Sequence, residues 1–379
     1  MRVLAVDVGT GTQDIVLFDS SQPVENALQM VMPSPTQIAA GRIRRATEAG
    51  RAVALTGVVA GGGPCHWALE EHLRAELPAY ATPQAAATFD DDLEAVQRMG
   101  VTLASEDEMR GLDAERVRLR DLDLGAIRSA LAGFDVSGDF DGLALGCLDH
   151  GASPPGYSDR LFRFEHLRRV VEGRNDLRTF AYLPEELPEY LTRARSVMAC
   201  VDSEAPAIFL DTGPAAALGA LQDPTVGSET EQCVVNLGNM HALAFHLQGT
   251  RIVSLYEHHT GEVTAEQIEG FTERLLAGTL RHEEIFGSKG HGAWIVNSGQ
   301  STLDSGRRPM VAVTGPQRGK LRGSRLAPYF AVPHGDMMVS GCYGLLWAFA
   351  ERYPQHREEV LGALGVTAAP VEGSVHRRT

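Results

Sequence analysis

The sequence lacks the local frameworks that cofactor clusters, disulfides and membranes require. Its five cysteines, Cys65, Cys147, Cys200, Cys233 and Cys342, are scattered with no two close together. Neither an iron–sulfur cluster nor a zinc knuckle therefore has a ligand motif to start from. An odd number of dispersed thiols fits a reducing cytosol better than a disulfide scaffold. No run approaches about 18 uninterrupted apolar residues, which excludes a membrane-spanning helix. The opening Met-Arg-Val-Leu-Ala-Val-Asp carries an acid inside its first apolar run and is not expected to act as a signal peptide. Positive charge is short as well. Lys+Arg number 34 against 49 Asp+Glu, a net charge of −15, and such a surface repels nucleic-acid phosphates and anionic lipid. The expectation is a cytoplasmic protein with a small-molecule partner, neither nucleic acid nor membrane. The composition leaves its oligomeric state open.

The 379 residues, 44% hydrophobic, suffice for two lobes around one cleft. Apolar runs at 3–8 and 15–18 flank Asp7-Val-Gly-Thr-Gly-Thr12 and read as a β-hairpin. A helix over 36–49 stops at Gly50, and a strand at 51–55 leads to Gly61-Gly62-Gly63-Pro64 and a helix to 73. Helices follow at 91–99 and 124–131, then a strand at 142–148 running into Asp149-His150-Gly151, a charged helical stretch over 160–199, and a strand at 207–210. After a polar connector at 222–231 the theme restarts, with strands at 233–236 and 241–247 around Gly238-Asn239. A helix at 265–280, a strand at 309–313 and a helix at 341–353 complete it. This alternation is the α/β signature. The expected division is an N-terminal lobe with insertions over 1–225, a C-terminal lobe over 226–367 and a frayed tail at 368–379.

Several constellations carry chemistry. Glycines in the first hairpin bring backbone N–H groups to a surface, and the flanking threonines add hydroxyl donors, which together suit a phosphate. Asp7, at the end of a buried strand, is placed to hold Mg²⁺ through water; an ordinary turn with an Asp cap is the plainer reading. Asp149 stands at the carboxyl end of a strand, where ligand crevices open in α/β sheets, and is the candidate general base. Its plainer reading is a turn cap, with His150 a structural hydrogen-bonder. Histidines recur beside glycines and acids, in Glu257-His258-His259-Thr260-Gly261, Lys289-Gly290-His291-Gly292 and His334-Gly335-Asp336. Histidine and carboxylate suit zinc, iron or manganese, but adjacent histidines on a strand point to opposite faces, so His258 and His259 do not share one ion. Polar lining of the cleft is the simpler use, with His150 and His258 as substrate contacts. Arg160, in a cluster with Arg163, Arg168 and Arg169, is a candidate for an anionic substrate, or otherwise part of a helix surface.

The order of these motifs resembles the superfamily of acetate and sugar kinases, heat-shock chaperones and actin. Residues 4–18 look like its first phosphate hairpin and 211–221, with Gly213-Pro214 and Gly219, like its first connecting helix. Residues 234–245, with Asn236-Leu237-Gly238-Asn239, look like the second phosphate hairpin. Residues 311–319, with Thr314-Gly315, look like the adenosine motif, and 341–350 like the second connecting helix. The resemblance implies a two-lobed, ribonuclease H-like duplicated fold with mixed sheets and a nucleotide cleft between the lobes. It implies Mg-ATP or Mg-ADP as cofactor, held at Gly9, Thr10, Gly11, Thr12, Asn236, Gly238 and Asn239, with adenosine at Thr314 and Gly315. Asp7 and Asp149 would be the catalytic acids of an ATP-dependent phosphotransferase or ATPase.

One departure matters. The family's second hairpin usually carries an Asp where this chain has Asn236, and an amide neither carries charge nor accepts a proton. A nucleotide-binding sensor without turnover is the alternative, and a metal-dependent enzyme built on the cleft histidines a third. The chain as a whole also resembles a prokaryotic branch labelled as pyruvate formate-lyase activating proteins. A radical enzyme of that kind needs a three-cysteine motif, which this chain lacks.

Overall fold

The computed structural model describes residues 1–296 and 308–366; the tail expected at 368–379 lies outside the described residues. The chain opens with an antiparallel meander of β1 (Arg2–Val8), β2 (Thr12–Asp19) and β3 (Leu28–Pro33). Helix α1 (Pro35–Glu48) begins where the Ser34 hydroxyl accepts the N–H of Gln37 and ends just before Gly50, at φ 65°, a conformation that suits glycine.

The chain then leaves the first sheet to build a separate one. Strands β4 (Ala52–Gly57), β5 (Ala79–Ala81), β6 (Val101–Leu103) and β7 (Ala114–Leu119) pair in parallel in the order β6-β5-β4-β7. Helices α2 (Pro64–Arg74), α3 (Pro83–Ala86), α4 (Leu93–Arg98) and α5 (Glu106–Met109) connect them. This insert has its own core, centred on Ile43, Leu55, Leu69, Ala81 and Val96. The sequence reading treats the region as insertions in one lobe and does not anticipate a third sheet.

After α6 (Leu124–Ala132) the chain returns to the first sheet with β8 (Gly142–Cys147), α7 (Asp159–Gly173), β9 (Ala181–Tyr182), α8 (Thr192–Ala199) and β10 (Ala207–Asp211). The finished sheet has six strands in the order β3-β2-β1-β8-β10-β9. Every residue of β8 is buried, as expected for a central parallel strand covered on both faces. The helical stretch expected over 160–199 is thus two helices separated by a short strand.

The second half repeats the plan. Helices α9 (Thr212–Ala220) and α10 (Pro224–Gly227) lead to β11 (Glu231–Leu237), β12 (His241–Gln248) and β13 (Arg251–His259), again an antiparallel meander. Then come α11 (Ala265–Leu276), α12 (His282–Gly287), β14 (Gly292–Ile295), β15 (Met310–Thr314) and β16 (Tyr329–Phe330). The second six-stranded sheet runs β14-β13-β12-β11-β15-β16. β15 lies parallel to β11 as β8 lies parallel to β1, so β13-β12-β11-β15-β16 repeats the order β3-β2-β1-β8-β10, with β14 and β9 added at opposite ends. The last elements are α13 (Ser340–Arg352) and α14 (Pro354–Ala363).

Helices α9 and α13 join the lobes. Almost all of their residues are buried, because small side chains let two backbones touch. A Cβ on Gly219 would overlap the Ser340 carbonyl, and one on Gly344 the Ala215 carbonyl. One core runs through this crossing, from Val3, Ala144 and Ile208 of the first sheet to Val234, Phe245 and Ala312 of the second. α13 packs on β1, β8 and β10, whereas α9 touches both sheets, at β8 and β10 of the first and β11 and β15 of the second. The motif order therefore holds as a fold, with α9 and α13 crossing where the two sheets meet. Among the described residues no helix is long and apolar enough to cross a membrane.

Candidate functional site

The two meanders present matching turns to one another. Gly9 N–H donates to the Thr12 carbonyl at 2.9 Å, and Gly238 N–H donates to the His241 carbonyl at the same distance. A Cβ at Gly9 or Gly238 would press on that carbonyl at 3.1 or 3.0 Å, so each turn is tight at its glycine. The tips face each other, since a Cβ on Gly11 would run into the Asn239 side chain. Ser34 fixes the first tip by donating from its hydroxyl to the Thr10 carbonyl at 2.6 Å. Gly9, Thr10, Thr12, Asn236, Gly238 and Asn239 line one narrow cleft of about 100 Å³ together with Asp7, Thr314 and Gly315.

Acids converge on this cleft. Asp7 is only 8% exposed, and it accepts a hydrogen bond from the Thr212 hydroxyl. Gly341 leaves room for its other oxygen, which a Cβ would overlap. Burial lifts the Asp7 carboxyl to about 6. Asp14, its register partner on β2, is pushed up to about 8 by burial and by the charge of Asp7. The sequence reading missed Asp14, although pairing outward from the Gly turn puts Gln13 opposite Val8 and Asp14 opposite Asp7. Asp14 Oδ1 and Thr314 Oγ1 are buried without a hydrogen-bond partner, unusual for polar atoms at such depth. Gly315, at φ 93°, donates to the Met337 sulfur at 3.2 Å and lies against the Leu237 carbonyl. Unpaired oxygens, close acids and glycine-lined backbone fit a hydrated cation with a phosphate group.

A larger cavity of about 980 Å³ adjoins the cleft, lined by the Gly61–Gly63 loop, residues 88–93 of the insert, the 149–157 loop, Met240 and His241. Arg193 braces its floor, donating to Asp121 Oδ2 at 2.7 Å and to the Leu148 carbonyl at 2.6 Å. Asp91, in the same wall, is raised to about 6 by burial and then by the charges of Asp159 and Asp149. Neither Arg193 nor Asp91 was singled out in the sequence.

Three expected residues take other positions. Asp149 reaches this cavity, but its Oδ1 accepts the Gly151 N–H at 2.8 Å and its Oδ2 the Ala194 N–H at 2.9 Å. Both oxygens pin the turn that carries His150. Arg160 donates from Nη1 to the carbonyls of Phe286 and Gly290, at 3.3 and 2.7 Å, and stacks on the Phe286 ring. It ties α7 to the second lobe. His258 faces away from the cavity, contacting the Ser288 hydroxyl at 3.2 Å and stacking on Phe271.

His150 lies where the expectation put it, and other histidines join it. Register pairs His241 with His259, and the His291 N–H donates to the Glu257 carbonyl. Three imidazoles from β12, the end of β13 and the residue before β14 therefore meet His150, on the loop after β8. His150 stacks on His291 with centroids 5.5 Å apart, and His241 lies 5.0 Å from His291. Behind them Arg163, wholly buried rather than on a helix surface, holds Asp211 through two bonds of 2.5 and 3.0 Å and Glu257 Oε2 at 3.2 Å. Glu257 Oε1 accepts from His241 Nδ1 at 3.1 Å. Burial alone would raise the Glu257 carboxyl, but the Arg163 charge and the neighbouring histidines hold it well below the usual carboxylate range.

The duplicated sheets, crossed helices and paired turns define a two-lobed, ribonuclease H-like α/β protein with a narrow cleft between its lobes. The chain belongs to the family described as "Putative pyruvate format-lyase activating enzyme (DUF1786)", whose model matches residues 60–320. No curated protein matches the sequence. Among solved structures it is similar to the activator of the 2-hydroxyisocaproyl-CoA dehydratase from Clostridium difficile with bound ADPNP. That match has 11% identity over 94% of this chain and 98% of that one, with a TM-score of 0.34. It is also similar to the ethanolamine utilization protein EutJ from Carboxydothermus hydrogenoformans (12% identity, 92% and 89% covered, TM-score 0.29). An exopolyphosphatase from Cytophaga hutchinsonii is a third (9% identity, 96% and 91% covered, TM-score 0.30). The iron–sulfur cluster that a radical activating enzyme needs has no fit here. Cys65, Cys147, Cys233 and Cys342 are buried on separate elements, and burial pushes the Cys65 thiol up to about 11 and that of Cys233 to about 12, against the thiolate form that binds iron.

Proposed function

We propose that the chain binds a magnesium nucleotide between its two glycine turns and transfers or hydrolyses the terminal phosphoryl group. The acceptor is a small molecule, or water, held in the adjoining cavity. One observation carries the reading: the two turns are closed by the same hydrogen bond, face one another, and enclose Asp7, Asp14 and unpartnered buried oxygens. What a bound Mg²⁺ supplies is neutralisation of phosphate charge. The protein's own part is to orient phosphates with the amides at the turn tips, at Thr10, Gly11 and Asn239, while the N–H groups of Gly9 and Gly238 close the turns. Asp7 and Asp14 hold the ion's water shell, and Gly315 with Met337 bounds the nucleoside side. Because the tips meet at Gly11 and Asn239, entry of a nucleotide requires the lobes to part, and closure over it excludes water.

Within this reading Asp149 keeps its place in the cavity wall as the support of His150. Asp91, exposed in the same cavity and raised to about 6, is the carboxyl available to take a proton from an acceptor. Asn236 in place of an acid favours a second reading, a nucleotide sensor without turnover. The experiment is ATP turnover across a metabolite panel preselected by thermal shift with and without Mg-ATP. Turnover lowered by about 10²–10⁴-fold in Asp91→Asn, with nucleotide affinity intact, supports catalysis. Tight nucleotide binding with no turnover on any acceptor supports the sensor.

A further inference from the structure

We propose that His150, His241 and His291 form a mononuclear site for a transition-metal dication such as zinc, with an open coordination position toward the large cavity. One ring nitrogen from each lies within 4.8 Å of the others, and they are the only such group of three among the described residues. Nε2 of His150 and Nε2 of His291 are 3.3 Å apart. A tetrahedral ion with metal–nitrogen bonds of about 2.0–2.1 Å spaces its ligand atoms by about 3.3–3.4 Å, so this pair already forms one edge of the tetrahedron.

The surroundings supply what a metal centre needs behind its ligands. Glu257 accepts from His241 Nδ1, which fixes that ring and leaves Nε2 for the ion, the carboxylate–histidine support common behind metal-bound imidazoles. His291 is completely buried; its Nδ1 has no partner and its Nε2 meets only the ring of His150. A cation between the two rings replaces this ring-to-ring contact with a bond from each Nε2. Charge points the same way: the buried Arg163 faces two carboxylates, Asp211 and Glu257, leaving one negative charge beside the cluster.

Function follows from placement. His150 and His241 line the 980 Å³ cavity, so the position not filled by histidine opens there. Three protein ligands with one exchangeable position is the arrangement of a catalytic metal rather than a structural one. The ligand expected at that position is an oxygen of the cavity's substrate or a water. The site is independent of the nucleotide reading and stands or falls separately from it.

The test uses untagged full-length protein, stripped with a chelator and titrated with Zn²⁺ or Co²⁺. The expected result is a single equivalent bound, a rise in melting temperature, and the strong visible absorption of tetrahedral cobalt. His291→Ala and His150→Ala should weaken binding by more than about 100-fold, beyond the roughly 10–100-fold expected for the supporting Glu257→Gln. His356→Ala, on α14, should bind as wild type. Circular dichroism confirms folding, and His150, on a loop outside both sheets, supplies the variant least prone to unfold. Absence of stoichiometric binding to the wild type, or wild-type affinity in folded His150→Ala, overturns the proposal.

Discussion

Removing Arg163 tests what holds the lobes together. The guanidinium is fully buried and joins three segments: α7, which carries it, the end of β10 through Asp211, and β13 through Glu257. Truncation to Arg163→Met leaves two carboxylates without their cation in a dry setting, and losing one partner of a buried pair typically costs about 3–5 kcal/mol. Asp211→Asn keeps the oxygen that accepts from Gly213 at the start of α9 but loses its charge, worth about 1.5–3 kcal/mol for a bond to a charged group. In the double variant the second change removes a charge already stranded. The two effects should therefore fall short of additivity by about 2 kcal/mol, within the range seen for contacting residues. Urea denaturation followed by the fluorescence of Trp347, which belongs to the shared core, measures all four corners of the cycle. Additivity to within about 0.5 kcal/mol would refute the view that this pair is a coupled tie between the lobes.

Gly344→Ala should destabilise by about 1–3 kcal/mol or more, because its methyl would meet the Ala215 carbonyl, a backbone atom that cannot turn aside; Gly278→Ala, open to solvent but at φ 66°, should cost less than that, and thermal melts compare them. Asp149→Asn turns an NH₂ toward one of two backbone N–H donors, so it should lower stability by about 1–3 kcal/mol, which urea titration reads. His72, buried between Thr47 and the Pro78 carbonyl, titrates below its usual range because of burial. Its contribution is therefore complete above the unfolded value of about 6.5 and lost as pH falls through the folded one. Hydrogen exchange in β4 and β5 should show weaker protection at pH 5 than at pH 7.5, a drop that shrinks in His72→Gln.

The fold was largely legible because its signals are local. Glycines set each turn between paired strands, Gly50 stops α1, and the run of small residues in α9 betrays a helix buried on all sides. The third sheet was not, since β5 and β6 are three residues each and carry no periodicity of their own. The site was legible where chemistry sits beside a turn, as at Asp7, Gly9 and Gly238. It was not legible where tertiary structure assigns the partner. Nothing in the spacing of Arg160 and Arg163 says that one braces a loop and the other lies at the centre of a buried ion network. The histidines show the same limit: opposite faces correctly separate His258 from His259, but only the register of β12, β13 and β14 gathers His241, His259 and His291 opposite His150.

The central claim is that the two glycine turns form one nucleotide site, and calorimetric titration of Mg-ADP into wild type and Asp7→Asn tests it most directly. The account predicts a single binding event in the wild type, weakened by at least about tenfold, or roughly 1.4 kcal/mol, in Asp7→Asn, with little change in melting temperature between the two ligand-free proteins. No heat of binding at millimolar nucleotide, or equal affinity in both proteins, would contradict it.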